Sequence, residues 1–249
     1  RLKPEGLNGL VFSCEPWARQ LPDRLSQLLS FADDLGIDGI ELWLLVRDPL
    51  DHAISVYGQM VKRHGFTGSV EDWLTIYNFP KVLNQFLEAV GNYPDQLKLR
   101  VDHYGRQRFN LLELLQNWLN LERNVLWQEP KNQVVNRSLT SQELLMMRWL
   151  NGRDSFLASF VGERLVNNLP FVKGNLNPPS QDVCEQFLQR WRPEVSAINT
   201  LLPSKAHLQM GIPSSFEAGK LEEDSEEGIL LSAAQLDCLF DGLMEGRSQ

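Results

Sequence analysis

Residues 40–46, Ile-Glu-Leu-Trp-Leu-Leu-Val, form a near-continuous apolar run. That is the pattern of a β-strand covered on both faces. The run has a partner upstream: residues 9–13, Gly-Leu-Val-Phe-Ser, are short, apolar and preceded by turn residues, and read as a buried strand. Between the two, Pro22 stands at a first helical position, and Leu25, Leu28, Leu29, Ala32 and Leu35 follow at helical spacing. Gly36 sits where a left-handed cap belongs, which predicts a helix over 22–35. Strand, helix and strand in fewer than 40 residues make a βαβ unit with parallel strands.

Downstream the pattern turns helical. Asp48 and Pro49 cap and open a helix to about His64, and the Gly-rich stretch 64–69 reads as a turn. Helices are expected over 70–77, 81–90 and 110–119, with one further strand over 97–101. Beyond that no strand pattern recurs. Thr140-Ser141-Gln142-Glu143 is a capping box that opens a helix to about Leu150. Residues 156–167 and 181–202, the latter bent at Pro193, are helical in pattern. The predicted class is therefore α/β: a parallel sheet flanked by helices, with a helix-rich C-terminal half.

At 249 residues, 43% hydrophobic and 22% charged, the chain has the composition of a globular domain, neither disordered nor fibrous. Its net charge of −8 argues against nucleic acid as a partner. That charge is uneven. Glu217, Glu222, Glu223, Asp224, Glu226 and Glu227 face only Lys220, so five of the eight net negative charges fall within twelve residues. A self-repelling run of this kind reads as a solvated linker. The expected organisation is an α/β domain over 1–213, an acidic linker over 214–228 and an amphipathic C-terminal helix within 229–249. That helix carries Leu230, Ala233, Ala234, Leu236, Leu239, Phe240 and Leu243, and either docks back on the same domain or onto a protein partner. Cys14, Cys184 and Cys238 are too scattered for a disulfide framework or a metal site, which favours a reducing, cytoplasmic setting. No apolar run approaches the ~20 residues of a membrane span, and no signal peptide is evident.

In a parallel sheet, ligands bind beyond the carboxyl ends of the strands. Two stretches occupy such ends: Ser13-Cys14-Glu15 and Arg47-Asp48-Pro49. Arg47 at a strand end and Ser55 in the following helix can converge on one anion, the guanidinium as a planar fork and the hydroxyl as a further donor near a helix N-terminus. The alternative for the same residues is an Arg47–Asp51 ion pair with Ser55 solvated. Arg100, Arg106 and Arg108 form a local basic cluster that would greet an anion or lie in a solvated loop.

These residues carry a resemblance. The segment from Leu44 to Tyr57, Leu-Leu-Val-Arg-Asp-Pro-Leu-Asp-His-Ala-Ile-Ser-Val-Tyr, resembles the 3′-phosphate-binding segment of sulfotransferases that use 3′-phosphoadenosine 5′-phosphosulfate. Arg47 and Ser55 keep the family's eight-residue spacing, and the aromatic Tyr57 follows. Val11-Phe-Ser-Cys-Glu15 is similar to the Ser-Ser-Glu strand end of bacterial members acting on carbohydrate-like substrates. Leu97-Lys-Leu-Arg-Val-Asp-His-Tyr104 with the leucine-rich stretch after it, and Asn136-Arg-Ser-Leu-Thr-Ser-Gln-Glu143, also look like family segments. The resemblance spans roughly residues 8–213.

It implies a P-loop-nucleotide-hydrolase-like fold and sulfuryl transfer to a hydroxyl of a carbohydrate or other small polar acceptor. Arg47 and Ser55 would hold the donor's 3′-phosphate and Tyr104 would lie near the adenine. Glu15 would be the general base, a residue that in the plain reading of a strand end is a helix cap. The nucleotide product would be adenosine 3′,5′-bisphosphate. One departure stands out: the family's Gly-Lys-Ser/Thr phosphate loop is absent from this chain, which begins at Arg1 rather than Met. The expectation is an N-terminal truncation that leaves out the first strand and that loop. The other expectation is a non-catalytic relative that serves as a protein-interaction module.

Overall fold

The computed structural model describes residues 11–14, 17–37, 39–121, 137–174, 178–213 and 228–248. In chain order they form α1 (Trp17–Gln20), a 3₁₀ turn (Pro22–Arg24), α2 (Leu25–Leu35), β1 (Ile40–Val46), α3 (Pro49–Arg63), α4 (Val70–Ile76) and α5 (Phe79–Gly91). There follow β2 (Leu97–His103), α6 (Tyr104–Gln107), α7 (Leu111–Trp118), α8 (Ser141–Asn151), α9 (Ser155–Asn168), α10 (Gln181–Leu201), a 3₁₀ turn (Ser204–Ala206) and α11 (Ala233–Gly246). The chain is α/β and mostly helical, and the described residues contain one two-stranded parallel sheet.

The sheet differs from the expected one. β1 pairs in parallel with β2, in a register that sets Ile40 opposite Leu97 and Val46 opposite His103. Residues 11–13 of the expected first strand are not in a strand, and Val11 and Phe12 are 59% and 65% exposed. A strand needs a neighbour to take up its backbone N–H and C=O groups, and among the described residues β1 gives its ladder to β2. Residues 9 and 10 lie outside the described residues. Nor is β1 covered on both faces: Leu42 and Val46 are buried, whereas Leu45 on the other face keeps 39% exposure. The crossover from β1 to β2 runs through α3, α4 and α5.

The chain divides into two compact units. The first holds the described residues of Arg1–Pro49, Asn78–Glu113 and Leu188–Met210, and the second those of Leu50–Tyr77, Leu114–Phe187 and Gly211–Gln249.

In the first unit the helix expected over 22–35 forms as a 3₁₀ turn leading into α2. It ends on Gly36 at φ 64°, whose N–H bonds back to the last turn, a conformation only glycine enters without strain. α5 buries Leu83, Phe86, Leu87 and Val90, the i, i+3, i+4, i+7 stripe of a core-facing helix. With Leu42, Val46, Leu97 and Val101 from the strands, these side chains supply the apolar core of the unit.

The second unit is helical. Ser69 and Thr140 each make a full capping box, with Asp72 and Glu143 respectively, so α4 and α8 start where their sequences say they should. α11 lies along α9. Gly242 and Gly246 are buried there, and a Cβ built on Gly242 would stand 2.7 Å from the Cα of Val161. The buried face of α11 is thus Cys238, Gly242 and Gly246, while Leu236, Phe240 and Met244 stay 40%, 64% and 64% exposed. The acidic segment read as a linker lies outside the described residues except for Gly228.

One packing choice in this unit is costly. Lys62 on α3 is only 3% exposed, its stem against Gly162 of α9, where an added Cβ would meet Lys62 Cγ at 2.9 Å. Burial, helped by the neighbouring Arg63 charge and by Arg137 and opposed by Glu163, pulls the ammonium from its usual 10.5 to about 8. The unfolded chain therefore binds the proton more tightly, and the penalty is fully present below pH 8 and fades as pH rises towards 10.5. Lys62→Met is expected to stabilise the protein by about 1–3 kcal/mol at pH 7. Thermal melts of both forms at pH 7 and pH 10 check it: the gain should shrink at the higher pH.

Candidate functional site at the strand ends

The register dictates what meets at the carboxyl end of the sheet. Because Val46 stands opposite His103, the next residues of each chain segment, Arg47 and Tyr104, come side by side. The Arg47 guanidinium carbon lies 5.2 Å from the centroid of the Tyr104 ring, a cation–π contact between two half-buried side chains. Two of the residues singled out from the sequence are therefore brought together. Tyr104 opens α6, so its backbone turns away from the strand as its ring stays beside Arg47.

Directly behind this pair, Asp48 ties three segments together. Its Oδ1 accepts the Nε2–H of His103, the last residue of β2, at 3.0 Å and the backbone N–H of Gln209 at 2.7 Å. Burial pushes the Asp48 carboxyl up, but the hydrogen bonds from His103 and Gln209 and the charges of His103 and Arg106 outweigh it, and the net shift is below the usual carboxylate value. An ionised Asp48 is an acceptor only, so the shared proton sits on His103 Nε2. His103 is 4% exposed, and its other ring nitrogen, Nδ1, has no hydrogen-bond partner among the described residues.

The opposite face of the same strand ends carries a second network. Asp102, 3% exposed, accepts from Arg100 Nε at 2.8 Å, Trp43 Nε1 at 3.0 Å and Lys205 Nζ at 2.7 Å. Burial raises its carboxyl, yet the Lys205 and Arg100 hydrogen bonds win and its net shift is downward. Arg106 donates to the carbonyls of Lys205 and His207 at 2.7 and 2.8 Å and so fixes the 204–209 stretch against β2. Two of the three members of the basic cluster are therefore engaged by other groups of the protein. Arg108 lies over the Phe109 ring, 4.6 Å from the centroid.

Ser55 is exposed on α3. It belongs to the second unit and Arg47 to the first, so their eight-residue separation is a spacing along the chain. Glu15, the expected base, lies outside the described residues. Among the described residues no group of three or more His, Cys, Asp and Glu side chains is arranged to hold a metal ion, and no helix is long and apolar enough to cross a membrane.

The sequence pattern marks Asp48 only as a helix cap and ends the second strand at Val101, two residues short of His103. The length of β1 held the missing signal: a seven-residue strand calls for a seven-residue partner, and 97 plus six more residues reaches His103. Gln209 had no local signal, being 161 positions from Asp48. No family model, no curated protein and no solved structure matches this chain.

Proposed function

We infer that the chain is a sulfotransferase-like protein that uses 3′-phosphoadenosine 5′-phosphosulfate and transfers its sulfuryl group to a hydroxyl of a carbohydrate or small polar acceptor. The observation that carries the reading is the meeting of Arg47 with Tyr104 at the carboxyl ends of two paired parallel strands. A guanidinium held over an aromatic ring presents a planar fork of donors to a phosphate and a flat face to a purine in one place. Carboxyl strand ends are where open parallel sheets bind such ligands. The P-loop-like architecture belongs to the same proposal.

In the reaction so proposed, the acceptor oxygen attacks sulfur in line and the bond from sulfur to the bridging phosphate oxygen breaks. Glu15 takes the hydroxyl proton, and adenosine 3′,5′-bisphosphate departs. Arg47 holds the 3′-phosphate and Tyr104 lies near the adenine. Catalysis is then positioning and charge stabilisation rather than covalent chemistry by the protein.

Arg47→Ala is expected to cost about 1.5–3 kcal/mol of affinity for adenosine 3′,5′-bisphosphate, a tenfold to hundredfold rise in Kd. Calorimetric titration of the full-length protein and the variant measures it. Equal affinity in the two would remove Arg47 from the site.

A further inference from the structure

We propose that His103 is the positioning residue that gives this site its preference for a 3′-phosphate, acting through Asp48 on Arg47. The inference rests on the donor-site reading above and extends it to a residue that touches no ligand.

The geometry is specific. Arg47 leaves the end of β1, and only Asp48 separates it from Pro49, the first residue of α3. Asp48, the next residue, is held at one oxygen by two donors from two different parts of the first unit: the His103 ring at 3.0 Å and the Gln209 N–H at 2.7 Å. His103 is itself immobile, buried at 4% exposure at the last ladder position, opposite Val46. The carboxylate is thereby fixed to β2 and the peptide joining Arg47 to Asp48 is fixed with it. The guanidinium then stands over Tyr104, itself the residue after His103. One side chain thus sets both neighbours of the anion site, Arg47 through Asp48 and Tyr104 through the chain.

Chemistry narrows the form His103 takes. Nε2 carries the proton given to Asp48, and Nδ1 is buried beside Gly105, where an added Cβ would stand 3.5 Å away. With no acceptor for Nδ1 among the described residues, a second proton there would be a buried, unpaired donor. The ring nitrogen through which His103 acts is therefore Nε2, the donor to Asp48. Its part is to hold Asp48 so that Arg47 faces the ligand in one orientation, a requirement for a fork-shaped donor whose recognition depends on angle.

The test titrates the full-length protein with adenosine 3′,5′-bisphosphate and with adenosine 5′-monophosphate. The wild type is expected to prefer the bisphosphate, and His103→Leu to lose about tenfold or more of that preference. His103→Gln keeps an Nε2–H donor at the same reach and is expected to restore it. Should His103→Leu fail to fold, the His103→Gln titration and the ¹⁵N shifts of the wild-type ring decide: the proposal expects a protonated Nε2. A folded His103→Leu with wild-type preference, while Arg47→Ala loses it, overturns the positioning role and leaves the donor site standing. A His103→Gln protein that folds but does not recover the preference, or a ring bare at Nε2, also overturns it. A wild type indifferent to the 3′-phosphate overturns the donor-site reading, and this proposal with it.

Discussion

Replacing Glu143 with alanine is expected to destabilise the protein by about 3–5 kcal/mol, the range for breaking a buried ion pair by deleting one partner. Glu143 is fully buried and has both oxygens engaged. Oε2 accepts from Arg137 Nη1 and from the Thr140 N–H, and Oε1 from Arg137 Nη2 and Gln235 Nε2, all at 2.8 Å. One carboxylate therefore closes the capping box of α8, neutralises a 7%-exposed guanidinium and ties in α11. Alanine leaves Arg137 charged inside the protein. The carbonyls of Leu169, Leu165 and Ser138 still accept from it, but they carry no countercharge. Urea unfolding at pH 7 measures the loss, and a difference below about 1 kcal/mol would mean the pair is not buried as described. The pH dependence has a definite sign. Burial raises the Glu143 carboxyl, but Arg137, Gln235 and Thr140 more than reverse it, so its net shift is below 4.5. Its contribution is present above pH 4.5 and fades as pH falls through the lower folded value, so the gap between wild type and variant closes in acid.

The second large effect runs against helix propensity. Gly242→Ala, in the interior of α11, would on propensity alone stabilise the helix by about 1 kcal/mol. Packing reverses the sign. The new Cβ would stand 2.7 Å from the Cα and 2.8 Å from the N of Val161, backbone atoms of α9 that cannot swing aside. The helices must separate, and the expected cost is about 1–3 kcal/mol. Gly246→Ala is the control. Its Cβ meets the ends of side chains, Leu157 Cδ2 at 2.7 Å and Phe160 Cδ2 at 2.9 Å, and these can rotate. Thermal unfolding of the two variants should show the larger drop for Gly242→Ala, and a rise in its Tm would contradict the close approach of α9 and α11.

That helix shows where the sequence could be read and where it could not. Its position was plain from the spacing of Leu236, Leu239, Phe240 and Leu243, and Ser232 with Gln235 marks its start. Its buried face was not. Periodicity weights large apolar residues, whereas the contact is made by two glycines four residues apart, which lets backbones approach and leaves Leu236, Phe240 and Met244 outside. The strands show the same division. Local pattern located 40–46, an apolar run, and most of 97–103, where Leu97, Leu99 and Val101 alternate with charged residues. It paired 40–46 with 9–13, since pairing is a non-local choice that a run of side chains does not encode. At the site, Arg47 was legible as a strand-end residue and Tyr104 only through the family resemblance. The hold of His103 and Gln209 on Asp48 was not, since it depends on the β1–β2 register and on a contact across 161 residues.

A nucleotide 3′-phosphate is the proposed ligand at the carboxyl ends of β1 and β2. The most direct measurement is isothermal titration of the full-length protein with adenosine 3′,5′-bisphosphate, alongside adenosine 5′-monophosphate. The site described here predicts saturable binding of the bisphosphate, weaker binding of the monophosphate, and a preference that disappears in Arg47→Ala. No heat of binding for the bisphosphate, or equal affinity for the two nucleotides, would contradict it.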